Sequence, residues 1–180
     1  MKNLALIFTF LILSMSCNDN EKTLKKKEVI SKSVTKKNQK TDSETDLIKF
    51  EPKISFSDYQ VNVEKVNVKP NLNSHELGNQ FRSAIREDFE KIESLFAGHY
   101  TLAYWGCGSP CQVSVLIDRR TGKIYDGPTA SLGNKFQKNS RMLIVNPPDS
   151  LGYYKKDCPY CIPEIYILNE DTKKFERIKP

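Results

Sequence analysis

Residues 99–126, HYTLAYWGCGSPCQVSVLIDRRTGKIYD, decide the class of fold. The opening HYTLAYW is rich in aromatic residues, and QVSVLID after it places Val113, Val115 and Ile117 on one face of an extended chain. The polar loop DRRTGK supplies a glycine suited to a hairpin with a bulge, and KIYD then returns beside the preceding strand. The stretch therefore predicts antiparallel strands.

Strand patterns also lie on both sides of this stretch. Downstream, RMLIVN at residues 141–146 is a short apolar run typical of a central strand. EIYIL and KFERI, on either side of the polar turn NEDTK, predict a final hairpin. Upstream, KISFSDYQVNVEKVNVK at residues 53–69 alternates apolar and polar side chains, which predicts one or two short strands with a bulge.

A single long helix is predicted between these strand patterns. Residues 75–96 read HELGNQFRSAIREDFEKIESLF, and their apolar side chains recur every three or four residues, which marks one face of an amphipathic helix. Asn73 and Glu76 form a start signal, and Gly98 is a stop signal. The expected fold class is α+β, a mostly antiparallel sheet of about seven strands with this helix covering one face. The residues on the apolar face of the helix are Phe81, Ile85, Phe89, Ile92 and Phe96.

The amino-terminal residues, MKNLALIFTFLILSMSC, resemble an export signal. Lys2 precedes about ten apolar residues, which suits a signal peptide and is too short to span a membrane. Ser16 followed by Cys17 is the pattern at which bacterial lipoproteins are cleaved and lipidated. We therefore expect residues 1–16 to be a lipoprotein signal peptide and Cys17 to carry acyl chains that anchor the protein stably. An ordinary signal peptide with an incidental cysteine is the alternative.

A change of composition divides the rest of the chain. Residues 17–48 contain no aromatic side chain and many Lys, Glu, Ser and Thr residues, so they predict a disordered tether. Residues 49–180 predict a single α+β domain, long enough to bury roughly two-thirds of its unfolded surface. The expected location is the cell envelope, at the outer membrane rather than the inner. The Asn-Asp-Asn that follows Cys17 is compatible with that location.

The net charge of the chain and its export signal limit the classes of partner that we expect. The net charge is +6, from 28 basic and 22 acidic residues, which is a mild excess. Such an excess favours solubility and weak contact with anionic surfaces, and the export signal excludes nucleic acid from the expected partners. The predicted partners are the membrane, through the lipid anchor, and an envelope protein or glycan.

The four other cysteines are expected to form disulfides, because an exported chain meets an oxidising compartment. Four cysteines allow three pairings: crossed bridges would stabilise the fold by about 4 kcal/mol and a small local loop by about 2 kcal/mol. The C-x3-C and C-x2-C spacings also resemble those of a zinc site, which oxidation of exported thiols disfavours. The four cysteines are Cys107, Cys111, Cys158 and Cys161.

One cysteine pair raises an enzymatic alternative. Cys158-Pro159-Tyr160-Cys161 matches the active-site tetrapeptide of glutaredoxins, so a thiol-disulfide oxidoreductase using Cys158 is a competing hypothesis. In that fold a helix follows the motif, whereas here Pro163 and the β-rich EIYIL follow, and only 19 residues remain. The context therefore favours a structural pair.

The segments FAGHY, WGCGSPC and DRRTGKIY together resemble a family of uncharacterised exported bacterial proteins. The resemblance covers roughly residues 81–146 and carries no activity. Members of that family often have the W-G-C-G-x-x-C pair alone, which implies that Cys107 bonds Cys111. The resemblance then implies that the additional pair, Cys158 and Cys161, bonds locally as well.

The remaining candidates are aromatic side chains beside the two cysteine turns. Tyr and Trp supply large contact areas at low entropic cost, so these residues form a possible binding surface, with core packing as the alternative. No nucleophile–base pair or cofactor motif is recognised, and the one metal-ligand spacing, that of the four cysteines, is disfavoured by the oxidising compartment. His99 is interpreted as structural and His75 as exposed. The sequence thus predicts a non-enzymatic binding or inhibitor module without a cofactor or metal. The aromatic candidates are Tyr104, Trp105, Tyr153, Tyr154 and Tyr160.

Overall fold

The computed structural model describes residues 46–179. The predicted signal peptide, the lipidated Cys17 and the tether as far as residue 45 lie outside the described residues. The described part has two short α-helices, α1 (Glu76–Gln80) and α2 (Arg82–Glu90). Its strands are β1 (Leu47–Lys49), β2 (Leu95–Phe96), β3 (Tyr100–Gly108), β4 (Cys111–Asp118), β5 (Ile124–Asp126), β6 (Asn134–Phe136), β7 (Met142–Val145), β8 (Tyr153–Lys155), β9 (Glu164–Asn169) and β10 (Lys174–Ile178).

All strand pairs in the described residues are antiparallel. One four-stranded sheet has the order β2-β3-β4-β5, a second has the order β10-β9-β7-β6, and β1 pairs with β8. The predicted hairpins are confirmed, as is the internal position of RMLIVN, whose strand β7 lies between β6 and β9. The expectation of a mixed, mostly antiparallel fold is therefore confirmed, although the strands number ten rather than seven among the described residues.

The first sheet is buried on both faces because alternate residues of β3 and β4 pack in opposite directions. Val115 and Ile117 lie under helix α2, in a cluster with Ile85 and Phe89. Leu116, on the other face, belongs to a cluster with members from both four-stranded sheets. The two sheets therefore enclose one core between them, and the helix covers the outer face of the first sheet. The inter-sheet core contains Phe96, Ala97, Tyr100, Leu102, Leu116, Ala130, Leu143, Val145 and Leu168.

The prediction of one long helix is wrong. The chain breaks at Phe81 between α1 and α2, and α2 ends at Glu90. A 3-10 helix (Ile92–Ser94) follows, with the Ile92 side chain 79% exposed. Phe96 lies in β2 and packs in the inter-sheet core, not on the helical face. Ile92 and Phe96 therefore match the helical spacing by coincidence. A periodic pattern does not show which part of the core a side chain enters.

The predicted upstream strands are also absent from the described residues. A 3-10 helix (Phe56–Tyr59) occupies part of that segment. Residues 60–71, which we name the strap, are extended and run past the β2–β3 and β4–β5 turns of the first sheet without joining a ladder, apart from an isolated bridge between Gln60 and Ser140. The strap is held by single backbone hydrogen bonds from Val61 to Asn139, Glu64 to Gly98, Val68 to Arg119 and Asn71 to Gly122.

Two glycines allow the strap to approach the sheet closely. A Cβ atom on Gly98 would lie 2.4 Å from the Asn62 carbonyl oxygen, and one on Gly122 would lie 2.3 Å from the Lys69 carbonyl oxygen. Both glycines also have positive φ, +82° and +75°, which side chains disfavour. Any larger residue at either position would push the strap away.

Two arginines fasten the strap from the β4–β5 turn. Arg119 donates from Nε to Thr101 Oγ1 (2.7 Å) and from Nη1 to Asn67 Oδ1 of the strap (3.0 Å), and its guanidinium lies 4.3 Å from the centre of the Phe89 ring. Arg120 donates from Nε to Glu64 Oε2 of the strap (2.9 Å) and from Nη2 to the other carboxylate oxygen. The residues of FAGHY and DRRTG that are placed in this way serve the packing of the fold.

Candidate functional site

Both cysteine pairs form local disulfides. The Cα atoms of Cys107 and Cys111 are 5.1 Å apart, and those of Cys158 and Cys161 are 5.2 Å apart. These are the pairings that the family resemblance implied. The crossed pairing, which the entropy of loop closure favoured, is not formed.

The turn that carries the CPYC tetrapeptide is a three-residue 3-10 helix (Pro159–Cys161), closed by a hydrogen bond from the Cys161 N–H to the Cys158 carbonyl (2.9 Å). Strand β9 begins at Glu164, directly after it. A reactive cysteine gains its low pKa from the N-terminus of a longer helix or from a nearby cation. The CPYC segment is followed by a strand and forms only a single 3-10 turn, so it lacks the N-terminus of a longer helix.

The predicted aromatic surface is divided between different faces of the fold. Trp105 points toward the helices and stacks on Phe81, with ring centres 4.4 Å apart, so it is largely a packing residue. Tyr104, its neighbour on β3, points to the opposite face and is 44% exposed.

The other three aromatic residues belong to a separate part of the structure. Tyr153 and Tyr154 are half-buried on β8, where they pair with Lys49 and Ile48 of β1. Tyr160 is 53% exposed in the CPYC turn. The described strand pairings therefore place Tyr104 in one sheet and Tyr153 and Tyr154 in another.

The end of the β3–β4 hairpin, residues 106–111, projects from the fold, and we name it the hairpin tip. Its ladder shifts register between Gly106 and Gly108, and a Cβ atom on either glycine would have no atom within 4 Å. Residues 106–110 are exposed, and the Cys107–Cys111 disulfide closes the turn. WGCGSPC is thus the motif whose glycines and cysteines do not serve the core.

Strand register places a polar surface at the base of the hairpin tip. Leu102 faces Leu116 inside the inter-sheet core, and the next inward-facing pairs along the hairpin are Tyr104 with Ser114 and Gly106 with Gln112. The inner face of the sheet therefore changes from apolar to polar as the hairpin leaves the core.

A pocket of about 310 Å³ lies at this end of the sandwich, and we name it the amide pocket. Its walls come from β3, from edge strand β6 and from the 3-10 helix before β2. Its floor is continuous with the core, because Phe136 packs edge-on against Phe96 with ring centres 5.8 Å apart. The lining residues are Glu93, Ser94, Tyr104, Asn134, Lys135 and Phe136.

Unpaired amide groups distinguish this pocket. The Asn134 side chain has neither a donor for its Oδ1 nor an acceptor for its Nδ2 among the described residues, although both atoms are buried. Outside the pocket lining, the buried Gln112 Oε1 also has no partner among the described residues, and it lies 3.8 Å from where a Cβ on Gly133, the neighbour of Asn134 in the chain, would be. A buried polar group that stays unpaired costs about 1–3 kcal/mol, so the Asn134 amide is the group of this pocket with the most hydrogen-bonding capacity to offer a ligand.

Charges of both signs line the mouth of the pocket. Glu93 and Lys135 are exposed at its edge, and Ser94 is buried. The site can therefore accept and donate hydrogen bonds without a strong preference for an anion or a cation. Chemically, it combines an exposed aromatic ring with neutral amides and two opposite charges.

The structure has a larger depression of about 570 Å³ beside the β9–β10 hairpin. Two of its polar groups are already paired: Lys173 Nζ donates to the Tyr100 hydroxyl (2.7 Å), and the Tyr166 hydroxyl donates to Glu164 (2.7 Å). None of its lining residues has a buried side-chain atom without a partner among the described residues. This groove therefore offers less unmet hydrogen-bonding capacity than the amide pocket does.

His99 occupies a buried polar position beneath the strap. It is 3% exposed, its Nδ1 lies 3.8 Å from Glu64, and its Nε2 lies 4.0 Å from Asp118, distances too long for hydrogen bonds. Burial lowers the pKa of His99 below its ordinary value, with Arg120 adding to the shift. Its surroundings are those of a histidine enclosed where the strap runs past the β2–β3 turn.

The sequence pointed to Tyr104 and the disulfide turn but missed Asn134, Gln112 and Glu93. Period two could have placed Asn134 on the same face as Phe136, since β6 is a strand. Nothing in the sequence showed that this polar side chain would lie without a partner.

No protein-family model matches the sequence, and no match is found among curated proteins or solved structures. Within residues 46–179 no group of three or more His, Cys, Asp or Glu side chains could hold a metal ion. In the same part of the chain, no helix has the length and apolar character needed to cross a membrane.

Proposed function

We propose that this protein is a non-enzymatic binding or inhibitor module of the bacterial cell envelope, anchored by lipid on Cys17. The observation that carries the proposal is the amide pocket, with its unpaired hydrogen-bonding groups, at the base of the exposed hairpin tip. The anchor and the outer-membrane location rest on the sequence pattern around Cys17. The partner is an envelope protein or glycan.

The different structural roles of the three motifs support this function. FAGHY and DRRTG hold the strap through Gly98, Arg119, Arg120 and Gly122. WGCGSPC presents an exposed, disulfide-closed turn instead. Binding surfaces commonly lie on such loops, which a rigid scaffold positions.

The competing function, a thiol-disulfide oxidoreductase, would use Cys158 in the CPYC turn. The 3-10 geometry of that turn and the strand directly after it favour a structural disulfide. The two functions make opposite demands on this cysteine pair, because a binding module keeps its activity when both cysteines are replaced and an oxidoreductase does not.

Co-sedimentation of the purified, detergent-solubilised full chain with isolated cell-envelope material tests the proposal. We expect binding that falls at least tenfold in Tyr104→Ala and is unchanged in Tyr160→Ala, which removes a somewhat more exposed tyrosine from the other disulfide turn. Treating the envelope material with a protease or with glycan hydrolases identifies the class of partner. Absence of binding, or equal loss in both variants, would contradict the proposal.

A further inference from the structure

We infer that the amide pocket binds a 2-acetamido sugar, a pyranose ring that carries an N-acetyl group. This inference rests on the proposed function, because it specifies the ligand of the same site. A carbohydrate of this class is recognised by three kinds of contact: an aromatic ring under the C–H face of the sugar, a polar pair for the acetamido group, and hydrogen-bonding side chains for the hydroxyls.

The polar pair is the Asn134 side chain. An acetamido group has one N–H donor and one carbonyl acceptor, which are the complements of Oδ1 and Nδ2. Both atoms of Asn134 lack partners among the described residues, so the match holds whichever way the amide is turned.

The Asn134 amide is buried just behind the pocket wall, so a ligand reaches it only after the side chain rotates. No hydrogen bond to the described residues opposes this rotation. Changes of rotamer at binding surfaces are common even where the backbone does not move.

The rest of the pocket suits one sugar ring. Its volume of about 310 Å³ is at the lower end of the range for small-molecule sites. Tyr104 supplies the exposed ring, while Glu93 and Ser94 can bond hydroxyl groups. A phosphate-bearing ligand fits less well, because Lys135 is the single cation in the lining and the negative charge of Glu93 offsets its attraction for an anion.

Calorimetric titration of the detergent-solubilised full chain tests the inference. The probe is a β-1,4-linked tetramer of N-acetylglucosamine, and the matched control is the β-1,4-linked tetramer of glucose, which has a hydroxyl group in place of each acetamido group. Two additional neutral hydrogen bonds predict roughly thirtyfold tighter binding of the acetylated tetramer. Equal binding of the two tetramers, or binding of neither, would overturn the inference.

Variants test whether the preference for the acetylated tetramer over the glucose tetramer arises in the amide pocket. Asn134→Ala should reduce binding of the acetylated tetramer to the level of the glucose tetramer, whereas Gln137→Ala, which removes an exposed amide nearby, should leave both unchanged. Tyr104→Ala should weaken both tetramers by a similar factor, and Tyr104→Phe should retain binding. Asn134→Ala should remain folded, because it loses no hydrogen bond to the described residues. A preserved preference in Asn134→Ala would overturn the inference.

The two experiments distinguish a failure of the sugar inference from a failure of the proposed function. Protease-sensitive binding to envelope material, together with no binding of either tetramer, would refute the sugar and leave the binding module standing. No binding in either assay would refute both.

Discussion

Replacement of Gly122 by alanine should detach the strap and destabilise the protein by about 3–4 kcal/mol. Gly122 has a φ of +75°, and a Cβ atom there would lie 2.3 Å from the Lys69 carbonyl oxygen. A side chain in this left-handed region costs about 1 kcal/mol by itself. The overlap cannot be relieved by rotating a side chain, since the obstructing atom belongs to the backbone.

Relief requires the strap to move away from the sheet. The backbone hydrogen bonds from Val68 to Arg119 and from Asn71 to Gly122, each 2.8 Å long, would then be strained or lost. Each contributes about 1 kcal/mol, which together with the conformational strain and the lost packing gives the stated total. That is a large part of the 5–15 kcal/mol by which a typical domain is stable.

Gly152→Ala is the matched control. Gly152 has a similar φ of +88°, but a Cβ atom there would meet nothing within 4 Å. This variant should therefore lose only the conformational term, about 1 kcal/mol. Urea unfolding of the full chain with its disulfides intact, followed by the fluorescence of the single tryptophan, measures both variants. Equal destabilisation by the two substitutions would refute close packing of the strap as the cause.

Three further predictions concern the anchor, the second disulfide and pH. Cys17→Ser should move the protein from the membrane to the soluble fraction, and a variant that stays in the membrane would contradict lipidation. The Cys158–Cys161 pair should have a reduction potential below about −300 mV, and the double serine variant should keep envelope binding; a potential of roughly −120 to −270 mV with reductase activity would instead support the enzyme. Because burial lowers the pKa of His99 below its ordinary 6.5, the unfolded state takes up the proton first, so the free energy of unfolding should fall as the pH drops below about 6.5. Urea titrations across that range measure the slope, which His99→Asn should reduce; an unchanged slope would show that other groups cause it.

Local signals predicted the hairpins correctly. The segment DRRTGK supplies Gly122 for the turn between β4 and β5. The alternation correctly placed Val115 and Ile117 on one face of β4, which is the face that helix α2 covers. These features depend on neighbours in the sequence, so a single sequence contains the information needed to recognise them.

Tertiary packing overrode the other patterns. Phe96 continued the helical spacing, but the inter-sheet core holds it in β2, after Lys91 has already left the helical conformation. The strap alternates like a strand because its chain is extended, yet Val63 and Val68 are exposed and its hydrogen bonds go singly to loops. Extended backbone and strand pairing are different properties, and only the first is visible in a period of two.

The candidate site could be predicted only in part, because some of its features depend on residue type and others on tertiary packing. Tyr104 and the disulfide turn stand out by residue type. Asn134 and Gln112 became candidates only when the fold placed them, without partners, on the inner face of the sandwich. Unmet hydrogen bonding is a property of the packed structure.

The most direct test of the central claim is the nuclear magnetic resonance signal of the Asn134 side-chain amide, followed as soluble fragments of envelope material are added to the labelled full chain. We expect the Asn134 signal and the backbone signals of Tyr104 to shift and to saturate together, while those of Tyr160 remain in place. Saturating shifts confined to the CPYC turn, with the Asn134 amide unchanged, would show that the amide pocket is not the binding site.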